Sequence, residues 1–277
     1  MSDDALSRKL RRGECVVGYM TKHPGASIVE ALGMRGWDFV VIDAEHGPID
    51  PLECEQMTRA AEVGGCAALV RVPARDKSTI MRYLDVGPQG LHVPMIETRA
   101  DAETVAHYAK YWPDGERGLA SVRAASYGAG GGLAAYTARA NAELLVVAQI
   151  ETGAAVEQID EIVSTPAIDV VFIGSTDLAN SLGLLGQPDH PRLLAALERI
   201  STAVRNSSKT LGIMVANEDD ARIWIDRGAR YICFLFENLL VRGGAGLVDI
   251  PRQVDGGNRS VGGLESRGEI SPEVRSA

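Results

Sequence analysis

Two apolar segments of the sequence end in carboxylates. The first, LLVVAQIET, spans Leu144–Thr152 and carries Gln149 and Glu151 near its downstream end. The second, DVVFIGSTD, spans Asp169–Asp177 and ends at Asp177. Continuous apolar runs of this length are typical of strands that are buried on both faces of a parallel sheet. Because a buried charge is unfavourable unless it is paired or bound to a metal, we expect Glu151 and Asp177 to hold one divalent cation.

Polar side chains also follow other predicted strands. Asp43, Glu45 and His46 come at or after the end of the run WDFVVID, and Arg71 lies near the end of CAALVRV. His46 can exchange a proton near neutral pH, and Asp43 could orient its ring. Arg71 would add a permanent positive charge near a developing negative one, and the alternative is that it simply pairs with Asp43 or Glu45. A metal, an arginine and a histidine base around a chelating 2-oxo acid would suit enolate chemistry.

The segment Gly174–Asp177 opens a predicted helix directly after the sixth strand. Free backbone N–H groups at such a helix start would suit a substrate carboxylate. Two carboxylates alone bind Mg²⁺ weakly, and such ions usually recruit water and substrate oxygens. This favours a catalytic ion over a structural one, and the chain lacks a compact His and Cys set typical of structural zinc.

The elements that must position these residues alternate along the chain. Eight short apolar runs are separated by segments of helical pattern, which predicts parallel strands joined by right-handed crossovers. Eight such units close into an α/β barrel of the TIM type, whose strand ends and following loops form the active face. A doubly wound open sheet is the alternative, but no GxGxxG or GxxxxGK follows any strand. We expect one barrel domain over residues 1–251 and a polar tail over 252–277 that is disordered or packs on a neighbouring subunit.

Composition narrows the class of protein. The 277-residue chain is 45% apolar and carries a formal net charge of −9, which argues against nucleic acid or an anionic membrane as its main partner. The four cysteines are scattered without a CxxC pair, which indicates reduced thiols. No segment has the pattern of a signal peptide or a membrane span. A cytoplasmic location is therefore expected.

Several motifs in a fixed order resemble one family. The chain is similar, from about Gly18 to Val241, to the metal-dependent (class II) pyruvate aldolases related to 4-hydroxy-2-oxoheptanedioate aldolase and 2-dehydro-3-deoxyglucarate aldolase. The similarity is carried by FVVIDAEHGP, LVRVP, LDVGPQGLHVPM, ERGLASVRAASYG, VVAQIET, DVVFIGSTDLANSLG and GIMVANEDDAR. It implies a carbon–carbon lyase that cleaves or forms 4-hydroxy-2-oxo acids through a metal-bound pyruvate enolate.

The resemblance also implies roles for individual residues. Glu151 and Asp177 would hold Mg²⁺, Mn²⁺ or Co²⁺, and Arg71 would stabilise the enolate oxygen. His46, together with Asp43, would act with a metal-bound water as acid and base. Bound 2-oxo acid would be held by Gln149, Ser175 and Thr176. The partners implied are a small 2-oxo acid and an aldehyde, and the protein would be a homo-oligomer (trimer or hexamer) whose last helix is exchanged between subunits.

Three departures from the family pattern bear on the acceptor. Ser175-Thr176 replaces the usual Pro-Ala, Tyr19 replaces a common tryptophan, and Phe236-Glu237 replaces a Gly-x-Asp ending after the last strand. They leave room for a specialised enzyme that decarboxylates oxaloacetate and adds the enolate to another acceptor, as macrophomate synthase does. A non-catalytic barrel that binds a keto acid is a third hypothesis.

The roles of some polar residues stay open in the sequence. Glu45 could be structural. His92 could point into the barrel or towards a helix, and packing is its expected role. Tyr127 and Arg123 lie in a Gly-rich loop over residues 111–132 and could touch the aldehyde part of a substrate. A loop of this length is uncommon in a compact domain unless it is functional or mobile.

Overall fold

A computed structural model describes residues 5–129 and 131–254, with side chains described to residue 245. Eight parallel strands pair in chain order, and the eighth closes on the first. The predicted TIM-type barrel is therefore confirmed. The strands are β1 Val16–Thr21, β2 Phe39–Asp43, β3 Ala67–Arg71, β4 Gly90–Val93, β5 Leu145–Ile150, β6 Val170–Ile173, β7 Thr210–Val215 and β8 Tyr231–Leu235.

Helices surround the barrel and connect its strands. They are α1 Leu6–Arg11, α2 Ala26–Gly33, α3 Pro51–Gly64, α4 Lys77–Asp85, α5 Arg99–Ala109, α6 Leu133–Glu143, α7 Gly153–Glu157, α8 Ile159–Val163, α9 Ser175–Ser181, α10 Pro191–Arg205, α11 Glu218–Asp226 and α12 Phe236–Val254. Within the described ranges, no helix is long and apolar enough to cross a membrane. The predicted tail lies almost wholly outside the described residues.

The strands are apolar on both faces because one face packs against the helices and the other fills the barrel interior. Residues that point outward, such as Val40 and Ile42, pack against the helices. Alternate residues of the same strands, such as Phe39 and Val41, fill the barrel interior. Leu6 and Leu10 of α1 join this inner core and cover the amino-terminal end of the barrel.

Some helix boundaries differ from those predicted by the sequence pattern. The pattern of residues 154–163 predicts a single helix, but a break at Gln158 separates α7 from α8. The short helix after β6 starts at Ser175, so Ser175, Thr176 and Asp177 form its first turn. Helix α12 follows β8 without a loop and continues through its glycines.

The long Gly-rich loop lies on the side of the barrel opposite the predicted active face. It leads from α5 to α6, which precedes β5, and connections that lead from a helix to the next strand lie at the amino-terminal ends of the strands. Arg123 donates to the carbonyl of Val86 at 2.7 Å and to Glu62 at 2.6 Å, next to the ends of α4 and α3. Tyr127 lies 3.4 Å from Arg59 of α3. The suggestion that Arg123 and Tyr127 touch a substrate in the mouth of their own barrel is therefore wrong.

Candidate active site

Inward-facing residues at the carboxyl ends of the strands form a polar layer above the apolar interior. Strand register places Asp43 beside Arg71, and Arg71 beside His92. Each of these residues continues the alternation that puts Val41, Leu69 and similar side chains inside the barrel. Gln149 takes the same position on β5, after Leu145 and Val147. Asp43, Arg71, His92 and Gln149 are all buried.

Asp43 and Arg71 form a two-pronged ion pair in this layer. Nε of Arg71 donates to Oδ1 of Asp43 at 2.8 Å, and Nη2 donates to Oδ2 at 2.6 Å. Burial alone would raise the pKa of Asp43, but the hydrogen bonds and charge of Arg71 outweigh it and hold this pKa below its usual range. The pair keeps both groups charged and uses only two of the three guanidinium nitrogens. Nη1 of Arg71 is left for another acceptor.

Glu45 forms a second contact with the guanidinium. Oε2 of Glu45 lies 3.2 Å from Nε of Arg71 and 3.9 Å from Nε2 of His46. Neither contact has the geometry of a hydrogen bond, so Glu45 interacts with both groups only through its charge. Burial raises the pKa of Glu45, and the positive charge of Arg71 opposes this shift. The structure therefore contains both ion pairs that the sequence left open for Arg71.

His46 lies at the mouth of the barrel with its ring largely in solvent. The side chain is 59% exposed. Asp43 holds the loop rather than the ring, because its Oδ1 accepts from the backbone N–H groups of Glu45 at 3.1 Å and His46 at 3.2 Å. The expected contact between Asp43 and the His46 ring is replaced by these backbone bonds, since the carboxylate is already aligned with Arg71.

Glu151 is buried at the end of β5 and is held from two sides. The backbone N–H of Met95 donates to Oε1 at 2.6 Å, and the side-chain amide of Gln149 donates to Oε2. Met95 adopts a left-handed backbone conformation with φ 57°, which is uncommon for a residue with a side chain. Burial raises the pKa of Glu151, and the charge of Asp177 adds to this effect.

Asp177 lies in the first turn of α9, facing solvent, next to exposed Thr176 and half-buried Ser175. No described side chain caps this helix, so its first N–H groups are available to a ligand. Gly174 precedes it, and a Cβ at this position would lie 2.9 Å from Oε2 of Glu151. Glycine therefore lets the start of α9 approach the Glu151 carboxylate.

The two carboxylates fit a hard divalent cation. Glu151 and Asp177 repel one another electrostatically, and a cation between them would offset both this repulsion and the burial of Glu151. Within the described part of the chain, no three His, Cys, Asp or Glu side chains form a ready-made metal cluster. Further ligands would therefore have to be oxygens of water and substrate, as Mg²⁺ and Mn²⁺ accept.

Sequence reasoning missed Met95 in this region and left the direction of His92 open between the barrel interior and a helix. His92 points into the barrel, and its Nε2 lies 2.7 Å from Oε1 of Gln149. Burial, with a smaller effect of the Arg71 charge, lowers the pKa of His92 to about 3, so the ring is neutral. The alternation along β4 was a usable signal for His92. The role of Met95 comes from a backbone N–H, which no side-chain pattern reveals.

Two residues that depart from the family pattern, Tyr19 and Phe236, do not line the mouth of the barrel. Tyr19 and Phe236 belong to the outer core, with ring centroids 6.1 Å apart, and Tyr19 also packs edge-on against Trp37 at 5.4 Å. Glu237 lies 3.3 Å from Nζ of Lys22 and 3.2 Å from Nε2 of His23, joining the start of α12 to the loop after β1. These substitutions mainly change how α12 is anchored.

Known proteins share both the sequence and the fold of this chain. The family model described as HpcH/HpaI aldolase/citrate lyase matches residues 22–242. A 4-hydroxy-2-oxovalerate aldolase of Novosphingobium aromaticivorans is 37% identical over 88% of this chain and 92% of its own length. A hydroxypyruvate/pyruvate aldolase of Sagittula stellata is 34% identical over 84% of this chain and 91% of its own.

A solved structure agrees with this assignment. The crystal structure of an HpcH/HpaI aldolase/citrate lyase family protein from Burkholderia cenocepacia superposes with a TM-score of 0.84 at 33% identity, covering 89% of this chain and 98% of that one. The predicted relationship and the predicted class, a carbon–carbon lyase of the aldolase type, are confirmed. The chain belongs to the HpcH/HpaI aldolase/citrate lyase family.

Proposed function

We propose that this protein is a divalent-metal-dependent aldolase that cleaves 4-hydroxy-2-oxo acids to pyruvate, or a close 2-oxo acid, and an aldehyde. The observation that carries the proposal is the close approach of the start of α9, whose first turn bears Asp177, to the buried carboxylate of Glu151: a Cβ at Gly174 would lie 2.9 Å from Oε2 of Glu151. The charges of Asp177 and Arg71 both act on Glu151. Relatives named as aldolases for 4-hydroxy-2-oxovalerate and hydroxypyruvate/pyruvate support this substrate class.

Glu151 and Asp177 would hold Mg²⁺, Mn²⁺ or Co²⁺. When bound, the ion would act as a Lewis acid for the keto group of the substrate. Ser175 and Thr176 would hold the substrate carboxylate at the open first turn of α9. Gln149 would act on the 2-oxo acid indirectly, because its amide is engaged with Glu151 and His92.

Arg71 would stabilise the negative charge that develops on the keto oxygen during cleavage. The hydrogen bonds to Asp43 use Nε and Nη2, which leaves the N–H groups of Nη1 for this oxygen. The pair also fixes the plane of the guanidinium before substrate arrives. A donor that is already oriented needs no reorganisation as charge develops.

His46 would move the proton at the mouth of the barrel. Its ring would take the proton of the 4-hydroxyl group while the bond between C3 and C4 breaks, releasing the aldehyde and leaving the pyruvate enolate. The same proton would then return to C3, which completes pyruvate and restores the neutral ring. Asp43 would support this step through the backbone of His46, at 3.2 Å.

The protein would work as a homo-oligomer in which α12 packs on a neighbouring subunit. The main contacts of α12 within its own chain are with β1 and β8. Leu240 is 57% exposed and Val241 is 62% exposed. Exposed aliphatic side chains on a terminal helix fit burial in an interface between subunits.

Release of pyruvate from a panel of 4-hydroxy-2-oxo acids and from oxaloacetate tests the proposal, with lactate dehydrogenase as the coupling enzyme. We expect turnover that EDTA abolishes and Mg²⁺ or Mn²⁺ restores. Glu151→Ala and Asp177→Ala should each abolish it, whereas Glu157→Ala, an exposed carboxylate on α7, should not. Full turnover by the folded double variant Glu151→Ala/Asp177→Ala would refute the proposal.

Product analysis by mass spectrometry would separate the aldolase from an enzyme that adds the enolate to another acceptor. Addition products from oxaloacetate with no aldehyde cleavage would favour the second activity. Binding of oxalate and Mn²⁺ without turnover of any substrate would favour the non-catalytic barrel.

A further inference from the structure

A chain of polar contacts inside the barrel joins β4 to the end of the neighbouring strand β5. Nε2 of His92 lies 2.7 Å from Oε1 of Gln149, and Nε2 of Gln149 contacts Oε2 of Glu151. All three residues are buried, and His92 has no exposed surface. The contacts therefore form in a water-poor environment, where their geometry is strongly determined.

The chemistry of the groups sets the direction of every hydrogen bond in this chain. An ionised carboxylate can only accept, so Gln149 must present its NH₂ group to Glu151. The carbonyl of Gln149 then faces His92 and must accept, so Nε2 of His92 must carry the proton. A neutral imidazole has one N–H, which leaves Nδ1 unprotonated, and this atom is buried without a hydrogen-bond partner.

Packing alone does not account for this arrangement. The ring of His92 packs edge-on against Phe172, with centroids 4.7 Å apart, so an apolar side chain would suit that contact equally well. A histidine instead leaves one buried nitrogen unpaired, which is unfavourable. The feature that a histidine supplies, and an aliphatic residue does not, is the proton that Nε2 donates to Gln149.

We propose that His92 is a positioning residue that fixes the orientation of the Gln149 amide and, through it, the carboxylate of Glu151. Without the donor on His92, the carbonyl of Gln149 loses the partner that holds it, and the amide is free to rotate away from Glu151. Oε1 of Glu151 would remain tied to the N–H of Met95 at 2.6 Å, while Oε2 would lose its fixed position. The inference rests on the proposed cation site at Glu151 and Asp177.

Binding of Mn²⁺ to the purified full-length protein, measured by electron paramagnetic resonance, tests this role without substrate. His92→Leu should weaken binding by about 10- to 100-fold, the range typical of residues that orient metal ligands. His92→Gln restores an N–H donor and should stay within about threefold of the wild-type affinity. Phe172→Leu is the matched control, because it disturbs packing on the same ring and should change thermal stability more than Mn²⁺ affinity.

A double-mutant cycle asks whether His92 acts through Gln149. Once Gln149→Leu has been introduced, His92→Leu should cause no further loss of Mn²⁺ affinity, because the group that it orients is gone. Independent losses that multiply in the double variant would overturn the proposal. So would equal affinities of the wild type, His92→Leu and His92→Gln. If His92→Leu does not fold, the comparison of His92→Gln with His92→Met replaces it.

The failure of this inference differs from the failure of the proposed function. A wild-type protein that binds no Mn²⁺, or that binds it unchanged after Glu151→Ala, would refute the proposed cation site and the role of His92 with it. A wild-type protein that binds Mn²⁺ through Glu151, with variants at His92 that bind equally well, would refute the role of His92 alone.

Discussion

Gly174→Ala tests whether the Glu151 carboxylate must occupy its observed position. The backbone at Gly174 has φ −89° and ψ 78°, outside the left-handed region, so the added methyl group is the main perturbation. Its Cβ would lie 2.9 Å from Oε2 of Glu151, 3.0 Å from Cβ of Glu151 and 3.3 Å from Nε2 of Gln149. Since favourable non-bonded contacts begin near 3.5 Å, the carboxylate would have to move by roughly 0.5 Å.

A displacement of this size is large for a metal ligand. Ligand distances are usually held within about 0.2 Å, so we expect Mn²⁺ affinity to fall by about 10- to 100-fold, or about 1.4–2.8 kcal/mol. Calorimetric titration with Mn²⁺ measures this loss. Gly153→Ala is the matched control, because its Cβ would meet only the flexible end of Leu182, at 3.1 Å.

The metal-free Gly174→Ala protein should unfold within a few degrees of the wild type, which separates a local displacement from a damaged fold. Wild-type Mn²⁺ affinity in the folded variant would show that the observed position of Glu151 does not matter for the ion. The assignment of Glu151 as a ligand held by the start of α9 would then be refuted.

Arg71→Met should destabilise the fold by about 3–5 kcal/mol in urea titrations, because Asp43 would be left buried and unpaired. The double variant Arg71→Met/Asp43→Leu should recover much of this stability. If the single and the double variant lost equal stability, the pairing would be contradicted. Because the folded pKa of His92 is about 3, below its ordinary value of about 6.5, the unfolded chain binds more protons between these values. Stability should therefore fall with acidification below about pH 6.5, by up to about 1.4 kcal/mol per pH unit from this group. His92→Leu should reduce that slope in unfolding measured between about pH 4.5 and 6, and an unchanged slope would count against a buried neutral ring. Val241→Asp should lower the mass measured by sedimentation, since Val241 is 62% exposed on α12; an unchanged mass would remove this helix from the interface.

The barrel and most of its site could be predicted from local patterns. Apolar runs at regular intervals predict strands buried on both faces, and parallel strands bring all their carboxyl ends to one side. For that reason Asp43, Arg71, Glu151 and Asp177 could be assigned to a common mouth, although they are far apart in the chain. The alternation along each strand also determines which of these side chains point inward.

The partners of those side chains were decided only by the tertiary structure. Asp43 pairs with Arg71 rather than with the ring of His46, because strand register places Asp43 and Arg71 side by side. His92 meets Gln149, 57 residues further along the chain, inside the closed barrel. The N–H of Met95 reaches Glu151 because that residue adopts a left-handed conformation. Sequence periodicity specifies the direction of a side chain relative to its own strand, whereas hydrogen-bond partners depend on distances between strands, which exist only after the barrel has closed.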